Sequence, residues 1–286
     1  MALRINYNYQ SDFTHFNLLQ TEANMNKSLE RLATGYRINR AADDAAGLYI
    51  ADQLKTYAVS LEQATRNAHD GISIAQIAQS ALTNVYNILN DIKAKAIEAA
   101  NDSQDSATRQ IIQQDINKLV DVIGKIFTDT EFNGINVFSS GTAVTFTIHY
   151  GGRSGQELLM QGATASAAAA ADTSAPSTIT LGNTGYTLDV TSQTKAEATI
   201  STVDALIKEV DKLNAKYGSY QIELEKLITN NESQRINSQE AESRIRNVDF
   251  AKEMSEFTRN QILMQSGTAM LAQANQLPQL VLQLLR

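Results

Sequence analysis

The sequence predicts a mainly α-helical protein, in which long antiparallel helices form a rod or coiled-coil bundle with a small central β element. Two observations carry this prediction. Apolar residues recur at helical spacing over runs much longer than the helices of globular domains, which average about 11–12 residues. Residues that break helices are concentrated in the middle, since nine of the 14 glycines lie between Gly124 and Gly185. The two ends are therefore free to form long helices.

The first long helical pattern runs from residue 43 to residue 100. Asp43 and Asp44 suit its start, because acidic groups complement the positive end of the helix dipole. At a rise of about 1.5 Å per residue this helix is roughly 85 Å long, which is typical of coiled-coil-like bundles. Its apolar positions step mostly by three and four residues: Ile50, Leu54, Leu61, Ala64, Ala68, Ile72, Ala75, Ala78, Leu82, Val85, Leu89, Ile92, Ala96 and Ala99.

After a break at 101–103, a second helix is expected from about 104 to 127, with Ile111, Ile116 and Val120 on its apolar stripe. Asn133-Gly134 predicts a tight turn, because these residues tolerate a positive φ. Alternating β-branched and aromatic residues predict strands at 144–150, 177–181 and 186–190. The Ala/Ser/Thr-rich segment 163–174 is expected to form a surface loop or a short helix.

Helix is expected again from Ser201, which forms a capping-box-like start with Asp204. A polar stretch at 230–244 precedes a last helix that begins near Asp249. The first 40 residues and the last 35 are dense in large apolar side chains such as Phe16. We expect the two terminal helices to pair, and neighbouring copies of the chain to complete their burial on assembly. The pattern alone gives equal weight to an ordinary helical bundle within one chain.

Composition excludes several classes of function. The 286 residues carry a net charge of −7, and a basic surface for nucleic acid is not expected. There is no cysteine, so neither a disulfide nor a thiolate metal site exists. The most apolar stretch, at 277–285, is far shorter than the roughly 20 residues that span a membrane, although an amphipathic helix that binds membranes is an alternative there. The N-terminus has no apolar signal sequence, so we expect a soluble protein or export without a signal peptide.

Motifs for catalysis, metals or cofactors are absent from the sequence. His15, His69 and His149 are scattered, which gives little support for a Ser-His-Asp triad, although spacing is not diagnostic of one. The glycine-rich segment 151–155 follows a strand without opening a helix, so a plain turn is favoured over a nucleotide site. Asp43-Asp44 are expected to be solvated helix positions. We therefore predict no enzyme activity, no catalytic residue, no metal and no cofactor.

Several stretches near the two ends resemble the signature regions of bacterial flagellins. At the N-terminal end they are 28–39 (SLERLATGYRIN) and 41–48 (AADDAAGL). At the C-terminal end they are 243–251 (SRIRNVDFA), 261–263 (QIL), 267–276 (GTAMLAQANQ) and 278–279 (PQ). The resemblance extends over roughly 1–140 and 200–286, and leaves only about 60 residues between, as in a minimal flagellin without large outer domains.

The resemblance implies a structural subunit that polymerises into the extracellular flagellar filament for swimming motility. Its implied domains are an inner coiled coil (1–42 and 248–286), a helical rod (43–140 and 201–247) and a small β or surface segment (141–200). Implied partners are other copies of the chain, the flagellar type III export apparatus, an export chaperone on the C-terminal helix, and hook-associated proteins. The alternatives are a hook–filament junction protein of the same family and, less compatible with the short middle, a flagellin carrying an enzyme insert.

Three sets of residues are expected to have roles under this interpretation. Candidate assembly residues are apolar positions of the two ends: Leu29, Leu32, Ile38, Phe257, Ile262, Leu263, Leu271, Leu280 and Leu284. In recognised flagellins a vertebrate Toll-like receptor binds the segment that corresponds to Asn90, Asp91, Lys95 and Asp115. An arginine stands there at the position of Asp91 and a leucine at that of Lys95, so we expect weak or no receptor activation here. Candidate O-glycosylation sites are Thr164, Ser166, Thr173 and Ser174.

Overall fold

The protein is described by a computed structural model that covers residues 8–139, 141, 144–168, 175–182 and 184–284, with backbone alone for 277–284. The chain divides into two compact units. Unit 1 comprises Met1–Ala58 and Ile236–Arg286, and unit 2 comprises Val59–Arg235. Both boundaries fall inside long helices, so those helices contribute to both units.

The described residues form five helices: α1 (Tyr9–Thr34), α2 (Ala45–Ala100), α3 (Ser106–Asp129), α4 (Gln193–Arg246) and α5 (Phe250–Leu284). The predicted long helix is confirmed by α2, which has 56 residues. The predicted break after it is also confirmed. Asp105 then caps α3, because its side chain accepts a hydrogen bond from the Thr108 backbone N–H at 2.8 Å.

The fourth helix is longer than predicted at its start. Helix α4 begins at Gln193, so the prediction of a start at Ser201 is wrong. Ser201 lies inside the helix, and its hydroxyl donates to a backbone carbonyl one turn earlier instead of capping. The polar stretch 230–244 continues the helix, because ion pairs one turn apart, such as Arg244 with Glu240, support a solvated helical segment.

The strands lie between α3 and α4 in three antiparallel groups. These are β1 (Glu131–Phe132) with β2 (Ile135–Asn136), β3 (Thr145–His149) with β4 (Glu157–Gln161), and a sheet in the order β5 (Ala165–Ala168), β6 (Ser177–Leu181), β7 (Thr184–Leu188). The predicted turn is confirmed, since Asn133 and Gly134 have φ of 51° and 76° as a type I′ turn requires. The strands predicted at 144–150 and 177–181 are confirmed as β3 and β6, and the strand predicted at 186–190 is present as β7 but lies two residues earlier.

Four strands were not predicted: the two-residue strands β1 and β2, and the longer strands β4 and β5. Strand β4 returns from the glycine-rich turn at 151–155, which completes a hairpin with β3. Strand β5 lies in the Ala/Ser/Thr-rich segment, so the prediction of a loop or short helix is wrong for Ala165–Ala168. Small side chains allow this strand to approach α3, where a Cβ added to Gly124 would lie 2.8 Å from the Ala167 carbonyl oxygen. Residues 169–174 lie outside the described part of the chain.

Helices α2 and α4 run antiparallel within unit 2. Lys93 of α2 pairs with Asp204 of α4 at 2.5 Å, whereas Gly71, which precedes Lys93 on α2, lies beside Leu224, which follows Asp204 on α4. Their facing apolar side chains join those of α3 and the strands in one core. The most buried large side chains of this core include Leu82, Leu89, Ile92, Ile116, Ile123, Phe127 and Tyr217. The spacing of apolar residues places Ile50 and Ile111 on the apolar faces of their helices. They are 49% and 60% exposed, so the prediction that they are buried is wrong.

A buried polar cluster attaches β7 and β6 to α3. Gln113 is fully buried, and its side chain donates to the Leu188 carbonyl oxygen at 3.2 Å and accepts from the Val190 N–H at 2.7 Å. The same amide donates to Asn117 at 2.8 Å, and Asn117 accepts a hydrogen bond from Ser177 at 2.5 Å. Buried backbone N–H and C=O groups need hydrogen-bond partners, and the Gln113 side chain supplies these partners for Leu188 and Val190.

Replacing Gln113 by Leu should destabilise unit 2 by about 2–4 kcal/mol, because a buried backbone N–H and C=O would lose their partners. Urea unfolding followed by circular dichroism measures the change. The matched control is Gln110→Leu on the same helix, where Gln110 is exposed and the change should stay within about 0.5 kcal/mol. Equal stability of the two variants would contradict the role given to Gln113.

Asp189 orders the segment that leads into α4. Burial alone would raise the pKa of its carboxyl group, but Lys195 Nζ at 2.8 Å and the N–H and hydroxyl of Thr191 lower that pKa below the ordinary value of 3.8. A carboxylate with a lowered pKa stabilises the folded state above its unfolded pKa, and this contribution is lost as the pH falls through the folded pKa.

Asp189→Asn should therefore lower the melting temperature at neutral pH, and the difference from the unaltered chain should shrink as the pH falls below about 3.8. Thermal melts from pH 7 to pH 2 measure this difference. Glu197→Gln, at an exposed position of α4, serves as control and should show little effect at any pH. A difference that persists unchanged in acid would show that the carboxylate charge is not responsible.

Candidate assembly surface

Helices α1 and α5 form an antiparallel pair within unit 1. Near one end of the pair, Asn8 Nδ2 donates to the Ala274 carbonyl oxygen at 2.9 Å. Near the other end, Arg31 Nη1 lies 3.4 Å from Glu253 Oε2. Between them, Gly267 permits close approach, since an added Cβ would lie 3.0 Å from a methyl group of Leu18.

The surfaces that the two helices bury against each other are mostly small or polar. The buried residues of the pair, in the part whose side chains are described, are Ser28, Glu253 and Ala274, each 4–5% exposed. Arg31 Nε and Glu253 Oε1 are buried there without hydrogen-bond partners in the described structure. Such a contact gains little from apolar burial and loses free energy to unpaired polar groups, so the pair alone is weakly held.

The large apolar side chains of both helices lie outside this contact. We call them the outer apolar surface: Tyr9, Phe13, Phe16, Leu19 and Leu29 of α1, and Phe250, Met254, Ile262, Leu263 and Met270 of α5, each 50–66% exposed. A monomer rarely exposes so many large apolar groups on neighbouring elements, and such a surface is typical of an interface.

On α1 the exposed aromatic residues share one face. Tyr9, Phe13 and Phe16 are spaced by four and three residues, and the rings of Tyr9 and Phe13 stack with centroids 6.0 Å apart. Leu18, half-buried against Gly267, lies about half a turn away from this face. Helix α1 therefore has two faces to cover, and α5 covers one of them.

On α5 the exposed apolar residues point in several directions. At about 100° per residue, Ile262 lies roughly opposite the buried Glu253, and Met254 and Met270 lie on opposite flanks. A helix that is apolar all round is normally buried on all sides. Full burial of α5 therefore requires more than its contact with α1.

The structure divides the predicted assembly residues into groups. Leu29, Ile262 and Leu263 belong to the outer apolar surface. Leu32, Phe257 and Leu271 are half-buried. Ile38 is 2% exposed, so its side chain is already covered within the chain and does not offer a free surface. The side chains of Leu280 and Leu284 lie outside the described part.

The density of apolar residues predicts that the two ends pack, but it assigns no face to Phe16 or to the methionines of α5. The spacing of Tyr9, Phe13 and Phe16 could have shown that they share one face. What the spacing could not show is that α5 packs on the other face.

The two connections that lead out of the pair are joined to each other. The Arg37 N–H donates to the Arg246 carbonyl oxygen at 2.7 Å, and the Val248 N–H donates to the Gly35 carbonyl oxygen at 3.0 Å. The Arg246 guanidinium lies over the Tyr36 ring, 4.6 Å from its centroid. The connections after α1 and before α5 therefore form one ordered joint.

Asp43 orders the same joint and is more than a solvated helix position. Its carboxylate lies 2.6 Å from Lys27 Nζ and accepts hydrogen bonds from the backbone N–H groups of Arg40 and Asn39. The Lys27 ammonium, together with these N–H groups, lowers the pKa of Asp43 below its ordinary value of 3.8, against the effect of burial. The neighbouring Asp44 accepts from the Gly47 N–H at 2.9 Å and caps α2.

The candidate receptor segment lies in unit 2, on α2 and α3. Lys95 Nζ and Asp115 Oδ2 are 3.0 Å apart, so the structure brings these two predicted residues together as an ion pair. Asn90 donates to the Tyr86 carbonyl oxygen on its own helix, and Asp91 is exposed. The lysine thus places an ammonium beside the acidic residue of the next helix.

The candidate glycosylation sites differ in access. Thr164 is half-buried, and its hydroxyl donates to the Gly182 carbonyl oxygen at 3.2 Å. Ser166 is half-buried in β5, where it pairs with Thr180. Thr173 and Ser174 lie outside the described residues.

In the part of the chain that is described, no helix is long and apolar enough to cross a membrane.

Comparison with known proteins identifies two matching family models. The bacterial flagellin N-terminal helical region matches residues 5–143, and the bacterial flagellin C-terminal helical region matches residues 200–285. The chain is 37% identical to the flagellar filament 33 kDa core protein of Treponema phagedenis, over 99% of both chains. It is 38% identical to flagellins of Halalkalibacterium halodurans and Bacillus subtilis, over 99% of this chain and 99% and 100% of theirs.

Proposed function

This chain belongs to the bacterial flagellin family and is a structural subunit of the flagellar filament, and we propose that its copies assemble by burying the outer apolar surface of α1 and α5. The observation that carries the proposal is the position of ten large apolar side chains outside a polar α1–α5 contact. Covering them with other copies removes apolar area from water, which is the main favourable term in association.

The geometry of such burial favours an open polymer. The aromatic face of α1 and the several faces of α5 are different surfaces, so a contact between copies joins unlike patches. Contacts between unlike patches produce helical filaments when the rotation from one copy to the next does not close a ring. The family is structural, and we propose that this chain likewise works through assembly and motility, with no enzyme activity. Similarity to filament proteins over nearly the full length does not favour the hook-junction alternative.

We further propose that the chain is exported to the cell exterior by the flagellar type III apparatus, and that it contacts hook-associated proteins at the filament end. An export chaperone is proposed to bind α5 before assembly. Support for this comes from the apolar groups that α5 exposes on several sides, such as Ile262, Leu263 and Met270, since a free chain with these groups is prone to premature association.

Phe16→Ser and Ile262→Ser should each raise the critical concentration for filament formation by about tenfold or more, because burial of such a side chain contributes about 1.5–3 kcal/mol. Sedimentation and negative-stain electron microscopy of purified protein measure filament yield. Both residues are more than half exposed in the single chain, so its melting should change little.

Matched controls are Gln20→Ser on α1 and Gln265→Ser on α5, two exposed polar positions of the same helices. They should leave the critical concentration close to that of the unaltered chain. If Phe16→Ser and Ile262→Ser assembled as readily as these controls, the outer apolar surface would not be the assembly surface. A chain that stayed monomeric at every concentration, even with filament seeds, would refute the filament role itself.

We propose that the Toll-like receptor responds weakly to this chain. Binding would desolvate the Lys95 ammonium and its ion pair with Asp115, and Asp91 places a negative charge where the recognised type has a positive one. Asp91→Arg combined with Lys95→Leu should therefore increase activation at least tenfold in a receptor reporter assay with monomeric protein.

The control for this variant is Lys208→Leu, which removes an exposed lysine of α4 outside the segment and should leave the response weak. A potent response to the unaltered monomer would overturn the proposal.

A further inference from the structure

A polar cleft lies between α1 and α5 and interrupts the apolar character of their outer faces. It has a volume of about 330 Å³ and is lined by Asn24, Lys27, Ser28, Arg31, Glu256, Arg259 and Asn260. Three of the lining side chains are cations and one is an acid. The cleft lies within unit 1, in the same pair of helices that carries the assembly surface.

Two of the three cations already have partners. Lys27 pairs with Asp43 at 2.6 Å, and Arg31 pairs with Glu253 at 3.4 Å. Arg259 is exposed and forms no ion pair among the described residues, including with Glu256, which lies one turn earlier on α5. Among the described residues, the guanidinium of Arg259 is thus the cation of the cleft that has no ion pair.

Assembly removes water from the Arg259 guanidinium, which is unfavourable unless the group gains an ion-pair partner. On α5, Arg259 lies one turn before Ile262 and Leu263, two members of the outer apolar surface on the same side of the helix. When neighbouring copies cover those side chains, the guanidinium also loses water. A charge buried without a partner costs several kcal/mol, and charges at covered interfaces are normally paired. The covering copy must therefore bring an acidic group to this place.

Helix α1 carries acidic groups of the required kind. Of its three acidic residues, Glu30 pairs with Arg40 at 3.1 Å. Asp12 and Glu22 are exposed and have no ion pair within the described residues. Asp12 lies one turn before Phe16, and Glu22 lies one turn after Leu19, so a copy that covers these two apolar side chains also covers the acids. The same surface therefore holds an unpaired cation on one helix and unpaired acids on the other.

We propose that the cleft receives a carboxylate from α1 of a neighbouring copy, either Glu22 or Asp12, and that Arg259 forms an ion pair with it across the interface. The inference rests on the proposed filament function. A contact of this kind joins α5 of one copy to α1 of the next, so it repeats along an open chain. The apolar groups supply association, and the ion pair fixes which residues lie opposite each other.

Charge reversal and charge exchange test this pairing. Arg259→Glu should raise the critical concentration for filaments by about tenfold or more, since it places like charges at the contact. Adding Glu22→Arg, or in a separate variant Asp12→Arg, exchanges the two charges. One of these double variants should return the critical concentration to within about threefold of the unaltered chain. Lys252→Glu, which reverses an exposed cation of α5 outside the cleft, should have a much smaller effect.

The outcomes separate this inference from the proposed function. Filaments from the unaltered chain, loss with Arg259→Glu and recovery with one exchange support the ion pair. Assembly of Arg259→Glu at the ordinary concentration overturns it, and so does failure of both exchanges to restore assembly. Unaltered protein that never forms filaments refutes the proposed function instead. Melting of each variant as a monomer should match the unaltered chain, because Arg259 has no ion-pair partner there in the described residues.

Discussion

Helices α1 and α5 bury small and polar groups against each other and leave their large apolar groups outside. Ser28 and Glu253 are nearly inaccessible, whereas Phe16 and Ile262 are more than half exposed. This arrangement is the reverse of a stable two-helix unit, in which the apolar stripe faces inward. Because apolar area remains in contact with water, the pair reaches its lowest free energy only in contact with further helices. The need for other copies is thus part of how one chain folds.

Unit 2 buries many of its large apolar side chains in a core of its own. Its core combines three helices with three groups of strands, and α2 contributes alanines such as Ala68 and Ala75 that allow close helix contacts. The two units also differ in net charge. Unit 1 holds 11 Lys/Arg and 11 Asp/Glu and is neutral, whereas unit 2 holds 13 and 20 and so carries the whole net charge of −7. The proposed assembly surface lies in the neutral unit, where copies can pack closely without repulsion between like net charges.

Secondary structure can be predicted from the sequence where a single periodicity of apolar residues extends over a long segment. Helix α2 could be predicted almost to its ends, and the turn at Asn133-Gly134 could be predicted from residue type alone. Strand β5 could not, because alanine and serine have no side-chain pattern and the strand exists through pairing with β6. The predicted start of α4 is too late because Ser201 resembles a cap, whereas local contacts of Asp189 with Thr191 and Lys195 order the segment before it. The sequence shows that both ends are dense in apolar residues. It does not show which face of α1 contacts α5, because that depends on the close approach of Leu18 to Gly267.

Unit 1 is built from the first and the last segments of the chain, with the whole of unit 2 inserted between them. During synthesis the partner of α1, helix α5, is made only after the whole of unit 2. The backbone hydrogen bonds between Arg37 and Arg246 and between Gly35 and Val248 likewise wait for the final part of the chain. Helix α1 therefore stays unpaired while unit 2 is translated, and a chain that terminates before Arg246 never acquires the joint.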